Sequence, residues 1–474
     1  MDQPNILFIF SDQHRFCDLG CYGNRDIIST NFDSFAAHAV RFQNCISNSP
    51  VCVPARGSLL TGLFPLRHGA VTNDLKIRSG VTGIGRVLAQ AGYHTGYTGK
   101  WHLGGIPRSR HIPPEERLGF NEWKAYNCHH NYQKAAYHDE QGILHQITGY
   151  EPAAQSDLAI DFIRRNKEKK WAFYLSWGPP HDPYFEVPEK YLSLYEDKKI
   201  RLRDNVGETT LVSSSAPLLA KNDIEKMYRG YYAHISALDE QFGRIINSLA
   251  ETNQMENTVV VYTSDHGDML GSQGFKSKQL PYDESILVPL LISWPGHTYT
   301  GTCSELISLT DLPVSILSLA NLAFPGSVDG ADFSRLFTDR SAAGPEAVYI
   351  FEHTACHEAA RRGSREWRGI RTKKYTYARS AADEGYLLFD NDEDPFQMKN
   401  LVANPAYKAI RADCRKICSD FISRHDALLV PDDFIRHFGL KEEWNKSQAH
   451  FRLPLLEEHC NFVSSAATTI KHAT

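Results

Sequence analysis

Long apolar runs are missing from this chain. No stretch approaches the ~20 consecutive apolar residues that cross a bilayer, so no membrane-spanning helix is expected and a membrane is excluded as a partner. A basic excess is missing as well: 51 Lys and Arg stand against 56 Asp and Glu, a formal net charge of -5. A polyanion binder carries a surplus of cations, so nucleic acid is excluded as a partner, and an anionic substrate would need a local cluster of cations. Met1-Asp2-Gln3-Pro4 runs straight into Asn5-Ile6-Leu7-Phe8-Ile9-Phe10 with no basic n-region and no small-residue cleavage site. The sequence as it stands is expected to be cytoplasmic, or periplasmic or secreted if a leader has been removed. The 10 cysteines form no paired framework, which favours a reducing compartment. Cys17 and Cys21 lie close together, but a metal or disulfide reading lacks a second pair. Internal repeats and low-complexity linkers are absent.

What is present is an alternation of apolar runs and helical patterns. A chain of 474 residues exceeds one small core and implies a large domain with a smaller companion. Residues 6–10, 171–177, 258–263 and 287–293 read as buried strands, and 82–91 and 228–249 as amphipathic helices. This order predicts an α/β sandwich with a large, mostly parallel central sheet. From about Pro345 the texture changes to short strand-like runs at 348–352, 367–372, 375–379 and 386–390, followed by a candidate helix over 405–425. The expected division is a catalytic domain over 1–344 and a C-terminal α+β subdomain with an antiparallel sheet over 345–474.

The most informative run is Cys52-Val53-Pro54-Ala55-Arg56-Gly57-Ser58-Leu59-Leu60-Thr61-Gly62. It places a small reactive side chain at a helix start, where unpaired N–H groups favour anions. Alone, such a cysteine reads as a thiolate nucleophile or as a packed core residue. Asp12 follows the first strand and Asp265-His266 follow the strand 258–263. Ligands gather beyond the carboxyl ends of strands in open α/β sheets, so these three could converge on one divalent cation. Either aspartate singly would read as a helix cap or turn residue. In Thr98-Gly99-Lys100-Trp101-His102-Leu103-Gly104 a cation and a titratable base stand two apart, and an extended backbone would point both to one side. Lys100 offers charge for an oxyanion and His102 a proton-transfer group near neutrality. His181 follows a strand in a proline-stiffened loop, and Lys278 lies beyond Asp265-His266.

The spacing Cys52-x-Pro54-x-Arg56, the Gly99–Gly104 run and the segment Thr263–Glu284 together resemble the type I sulfatases of the alkaline phosphatase superfamily. The resemblance extends from Asn5 to about Gly330 and, more loosely, over Trp367–Tyr377 and Leu388–Leu401. It implies an alkaline-phosphatase-like sandwich and a sulfate monoester as substrate. It also implies that Cys52 is oxidised to Cα-formylglycine (3-oxoalanine) by a formylglycine-generating enzyme. Asp12, Asp265, His266 and the modified Cys52 would bind a metal, calcium in the family, with magnesium or manganese also suited to a hard oxygen-rich site. Arg56 would hold the aldehyde hydrate and Lys100 and Lys278 the sulfate oxygens. His181 with Lys278 would protonate the leaving alcohol, and His102 would take the remaining hydroxyl proton so that sulfate is expelled.

One position departs from the family pattern. Gln13 stands where many members have a second aspartate; its amide oxygen could still ligate the metal but brings no charge. A single aspartate also resembles phosphonate monoester hydrolases and choline sulfatases, which makes a phosphorus ester the rival substrate. The pair Lys100 and His102 favours the sulfate ester. A third reading, a non-catalytic binding protein with Cys52 unmodified, fits the charged site residues less well. A sulfated carbohydrate is the expected substrate. His129, His130 and Tyr132 in an aromatic and imidazole-rich insert, with His353 and Arg368 in an arginine-rich one, are the candidate contacts.

Overall fold

The computed structural model describes residues 3–212, 216–380, 382–383, 385–426, 435–436 and 439–450. In chain order the strands are β1 (Asn5–Asp12), β2 (Val40–Ile46), β3 (His94–Lys100), β4 (Glu122–Tyr126), β5 (Ala136–His138), β6 (Leu144–Gln146) and β7 (Trp171–Pro180). There follow a short pair β8 (Thr209–Thr210) and β9 (Leu219–Ala220), then β10 (Thr258–Ser264), β11 (Leu287–Ser293) and β12 (Gly301–Ser308). A second sheet comprises β13 (Ala347–Glu352), β14 (Trp367–Thr372), β15 (Tyr375–Arg379) and β16 (Gly385–Asp390).

The large sheet has ten strands in the order β12-β2-β11-β10-β1-β7-β3-β4-β5-β6. β1 sits in its middle because every residue of Asn5-Ile-Leu-Phe-Ile-Phe-Ser-Asp12 is buried, as a strand covered on both faces requires. The pleat divides that run between two cores. Ile6, Phe8 and Phe10 face the helices Cys52–Thr61, Ile84–Gln90 and Leu312–Leu319. Leu7 and Ile9 face the aromatic-rich layer of Thr30–Ala36, Glu151–Arg165 and Lys221–Glu251. The result is a three-layer sandwich.

The centre, β10-β1-β7-β3-β4, is parallel throughout, but the sheet as a whole is mixed. β11 runs antiparallel to both neighbours, and β4, β5 and β6 pair antiparallel. The reason for β11 is its connection: residues 265–286 cross the end of the sheet without a crossover helix, so the chain re-enters from the end it left. The helix expected over 228–249 begins earlier, at Lys221, because its first turns are polar and show little periodicity. The second sheet is antiparallel in the order β13-β14-β15-β16, packed by the helix Lys408–His425 on one side. Its other side, through Val348, Ile350, Trp367 and Phe389, closes on Ile46, Ile286, Leu287 and Leu306 of the large sheet's rim. Among the described residues no helix is long and apolar enough to cross a membrane.

Candidate active site

Four strand ends and one helix start meet at a single point. Asp12 ends β1, Lys100 ends β3, Asp265-His266 follow β10, and His181 follows β7. The helix carrying Cys52 begins at that residue, and all ten of its residues are buried. Within the first turn, the Val53 N–H donates to Asn73 Oδ1 at 3.0 Å, which satisfies one of the orphan donors of a helix start. β3 comes very close to β7 here; a Cβ at Gly99 would collide with the Ser176 carbonyl, which is why a glycine precedes Lys100.

Arg56, one turn beyond Cys52 and fully buried, ties the floor together. Its guanidinium donates to Asp265 Oδ2 at 2.9 Å, Asp12 Oδ2 at 3.0 Å, the Lys100 carbonyl at 2.9 Å and Ser176 Oγ at 2.6 Å. Lys100 Nζ adds a contact to Asp12 Oδ2 at 2.7 Å. Burial and the Cys52 charge push the Asp12 carboxyl up, but Lys100, His181 and Arg56 outweigh them and hold it well below the usual carboxylate range. Burial, with the neighbouring Asp12 charge, raises Asp265. At Cys52 burial again opposes charge, yet Lys278, Lys100 and His266 lower the thiol far below 9.0. The pocket is therefore electrostatically built to keep an anion at position 52.

The donor set fits a divalent cation. One ligand atom from each of Asp12, Cys52, Asp265 and His266 lies within 4.8 Å of the others, and all four residues are buried. His266 Nδ1 is turned to the Gly267 carbonyl at 2.9 Å. Its Nε2 is thereby aimed at Cys52 Sγ at 3.3 Å, Asp265 Oδ1 at 3.6 Å and Asp12 Oδ1 at 3.7 Å. A carbonyl that fixes the tautomer is how a metal-ligating histidine is oriented. Burial disfavours charge on His266, but Asp265 and Cys52 together outweigh it and raise its pKa above 6.5; a divalent cation competes directly with that proton.

Gln13 is occupied otherwise than expected. Asp268 uses Oδ1 on the N–H groups of Leu270 and Ser277 and Oδ2 on Tyr184 and on Gln13 Nε2 at 2.7 Å. Because a carboxylate only accepts, this fixes the amide with Oε1 towards Lys278 Nζ, at 2.5 Å. Lys278 Nζ in turn meets His181 Nε2 at 2.8 Å, and His181 Nδ1 meets the Asp182 carbonyl at 2.8 Å. The oxygen offered to the metal in the sequence reading thus positions the lysine.

His102 reaches the site, though not by strand alternation: its φ is +59°, in the left-handed region. Gln13, Asp74, Ser277 and Gln279 share that conformation, and such strain in non-glycine residues gathers at functional sites. Both His102 ring nitrogens are buried without a hydrogen-bond partner, and Nε2 stands 3.6 Å from Asp74 Oδ1. Burial would lower its pKa; Cys128 and Asp74 push it up to about 10. A proton-accepting role requires that a charged imidazole first release its proton.

The candidate substrate contacts separate into two groups. His130 is tilted over His181 with ring centroids 4.1 Å apart, and His129 stacks on Tyr126 at 3.8 Å; both are partly exposed. Tyr132, His353 and Arg368 are placed elsewhere. Tyr132 is fully buried behind the His181 loop, donating to the His181 carbonyl at 3.0 Å. His353 and Arg368, 2% and 1% exposed, converge on Asp426. Cations and imidazoles in a loop resemble ligand groups in composition, and only the fold reveals that these balance a buried carboxylate. Ser176, Asn73, Asp74 and Cys128, which sit in none of the motifs, and Asp268, inside the Thr263–Glu284 segment, are site residues that the sequence alone does not single out.

The sequence profile of the family described as Sulfatase matches residues 4–322. That described as N-sulphoglucosamine sulphohydrolase, C-terminal, matches 271–423. The chain is 34% identical over 416 residues to an ulvan-active sulfatase of Formosa agariphila, spanning 86% of this chain and 79% of that protein. Among solved structures, YidJ of Bacteroides fragilis superposes with a TM-score of 0.80 at 27% identity, covering 90% of this chain and 96% of that one. The phosphonate monoester hydrolase of Agrobacterium radiobacter has a TM-score of 0.72 at 20% identity, covering 89% and 96% of the two chains, a likeness of fold alone.

Proposed function

The chain belongs to the sulfatase family and is a sulfuric ester hydrolase, and from that premise we propose that it cleaves a sulfate monoester on a carbohydrate, using a nucleophile made from Cys52. The observation that supports this most is the arrangement around residue 52: ligand atoms of Asp12, Asp265 and His266 lie within 4.8 Å of the Cys52 sulfur and of one another, and Lys278, Lys100 and His266 act on that sulfur as cations. Such a site stabilises an anion where the reacting group sits. Conversion of Cys52 to Cα-formylglycine by a formylglycine-generating enzyme would supply a hydrated aldehyde as nucleophile. Asp12, Asp265, His266 and residue 52 would hold a divalent cation, calcium in the family, whose charge offsets that of the ester and makes a bound hydroxyl more acidic.

The remaining roles fall to this chain's own side chains. Arg56 keeps Asp12 and Asp265 in place and charged groups close together. Lys100 and Lys278 bind the sulfate oxygens. The Lys278–His181 pair holds a proton at 2.8 Å between its nitrogens and passes it to the departing alcohol oxygen as the S–O bond breaks. His102 holds or releases a proton at position 52. A carbohydrate as the alcohol accords with the imidazoles His129 and His130 at the partly exposed side of the site and with the polysaccharide named for the Formosa relative.

The rival, a phosphonate monoester or phosphodiester, draws on Gln13, which leaves the site one negative charge poorer than an Asp-Asp pair. Matched nitrophenyl esters decide between them. We expect kcat/KM for the sulfate to exceed that for the phosphodiester by at least about tenfold; the reverse order overturns the sulfate reading. Mass analysis of the Cys52 peptide from a host with the modifying enzyme should show the aldehyde. An unmodified thiol in an active preparation removes the formylglycine mechanism.

A further inference from the structure

Asp74 is a buried carboxylate to which the reaction above assigns no role. It lies outside every motif, in the loop after the Cys52 helix, with its side chain fully enclosed. Three groups from three parts of the chain converge on it. Arg108 donates through Nε to Oδ1 at 2.7 Å and through Nη2 to Oδ2 at 2.9 Å. His357, in the segment joining β13 and β14, places Nε2 3.0 Å from Oδ2. His102 places Nε2 3.6 Å from Oδ1, an ion-pair distance. The backbone brings these together by short pairings: Lys76 bridges to Gly104, and the Ile77 N–H donates to the Leu103 carbonyl at 3.2 Å.

We propose that Asp74 is a positioning residue for His102: its carboxylate, clamped by Arg108 and by His357 from the second sheet, sets the orientation of the imidazole that faces Cys52. The inference rests on the sulfatase reading of the site and adds to it a residue from the C-terminal region. A plain counter-ion to Arg108 would need neither of the histidines nor a residue at φ +68°. Aspartate tolerates the left-handed region better than most residues, and here that backbone directs its carboxylate at the strained His102. Neither ring nitrogen of His102 makes a hydrogen bond of ordinary length; Asp74 is the carboxylate at ion-pair distance, and the Cys128 and Cys52 side chains are its other polar neighbours. A histidine held on one side by a carboxylate is free to present its other nitrogen in one direction, which is how an imidazole is aimed at a reacting group.

The test is a double-mutant cycle. Asp74→Asn keeps the shape and the left-handed backbone while removing the charge. With nitrophenyl sulfate, Asp74→Asn is expected to lower kcat by about 10- to 100-fold with KM changed less than about threefold. In a His102→Ala background the same substitution should cost less than about threefold, because its effect runs through the missing imidazole. A second arm uses Cys52→Ser protein, which forms no aldehyde, and measures inorganic sulfate binding by calorimetry. Asp74→Asn and His102→Ala should each weaken binding, and the double variant should be no weaker than His102→Ala alone. His357→Gln should reproduce the Asp74→Asn pattern at smaller amplitude without moving the melting temperature. Independent, multiplying losses in either arm overturn the proposal, as does a rise in KM at constant kcat, which would make Asp74 a substrate contact. A wild-type enzyme that turns over no sulfate ester would strike the functional reading, while the sulfate-binding arm would still judge Asp74.

Discussion

The floor of the pocket and its wall are built on different principles. The floor comes from strand ends and one helix start, and Asp12, Arg56, Lys100, Asp265 and His266 are all fully buried. Each charge there has a partner of opposite sign, so no one member can change without leaving another uncompensated in a medium where that is costly. The wall comes from loops: His129 and His130 before β5, His181-Asp182 after β7, and the segment between β13 and β14. His129, His130 and His181 there are partly exposed imidazoles. These imidazoles can be exchanged at smaller cost than a buried charge, as the proposed reading of the alcohol half of the ester would require. On the proposed function the floor would perform the reaction and the wall would select what is presented to it.

The largest effect should follow from breaking the floor at Arg56. Arg56→Met fills similar volume but leaves Asp12 and Asp265 facing each other without the guanidinium that bonds both. Removing one partner of a buried ionic network costs about 3–5 kcal/mol, and turnover should fall by at least about 10³-fold. Denaturant unfolding and nitrophenyl sulfate kinetics measure the two losses. Added divalent cation should return part of the stability and little of the rate. If stability is unchanged, the floor is not a charge lock and the contrast with the wall collapses.

A smaller effect is expected at Asp426, where the sequence reading and the structure diverge. Composition groups His353 and Arg368 as ligand contacts, yet both turn to this one buried carboxylate. Asp426→Asn should destabilise the protein by about 3 kcal/mol and leave kcat/KM within about twofold. Burial pushes the Asp426 carboxyl up, but Arg368 and His353 hold it below its ordinary value. A depressed folded-state pKa contributes stability that is fully present above the unfolded value of about 3.9 and is lost as the pH falls through the folded one. The stability gap between wild type and Asp426→Asn should accordingly be flat from about pH 5 to 8 and shrink below about pH 4. A matching rise in KM would return these residues to the wall.

How much of this was legible depends on how local the determinant is. Lys100 rests on its spacing from His102, since β3, His-Thr-Gly-Tyr-Thr-Gly-Lys, is no apolar run. Asp12 and Asp265 could be placed because each directly follows an apolar strand, and Cys52 because a helix starts there. The middle of the sheet was legible for the same reason, since uninterrupted runs such as Ile6–Phe10 can only be doubly covered strands. The antiparallel direction of β11 was not, because it follows from where the 265–286 connection lies. β5 and β6, three residues each, are too short to show a period of two. His102 was assigned to the site on an extended backbone that it does not have. Asp74 escaped notice altogether: its partner His357 is 283 positions away, and no spacing rule spans such a distance.

The smallest effect, and the one that bears most directly on the wall, is expected at His130. Its ring lies tilted over His181, its Nδ1 has no hydrogen-bond partner, and burial, with the nearby His181 and Lys100, holds its pKa well below 6.5. Its Nε2 faces Cys128 Sγ at 3.8 Å; on the proposed function, a neutral imidazole that turns a nitrogen outward would give one hydrogen bond to a sugar hydroxyl without repelling Lys278. Loss of one such bond is worth about 1.4 kcal/mol. His130→Ala should therefore raise KM for a saccharide sulfate by about tenfold and change nitrophenyl sulfate kinetics by less than about twofold, since the aryl ester has no hydroxyl to be read. Equal losses in kcat on both substrates would mean that His130 acts through His181. In that event the wall would share in the chemistry, and the division between a fixed floor and an exchangeable wall would have to be redrawn at the His181 loop.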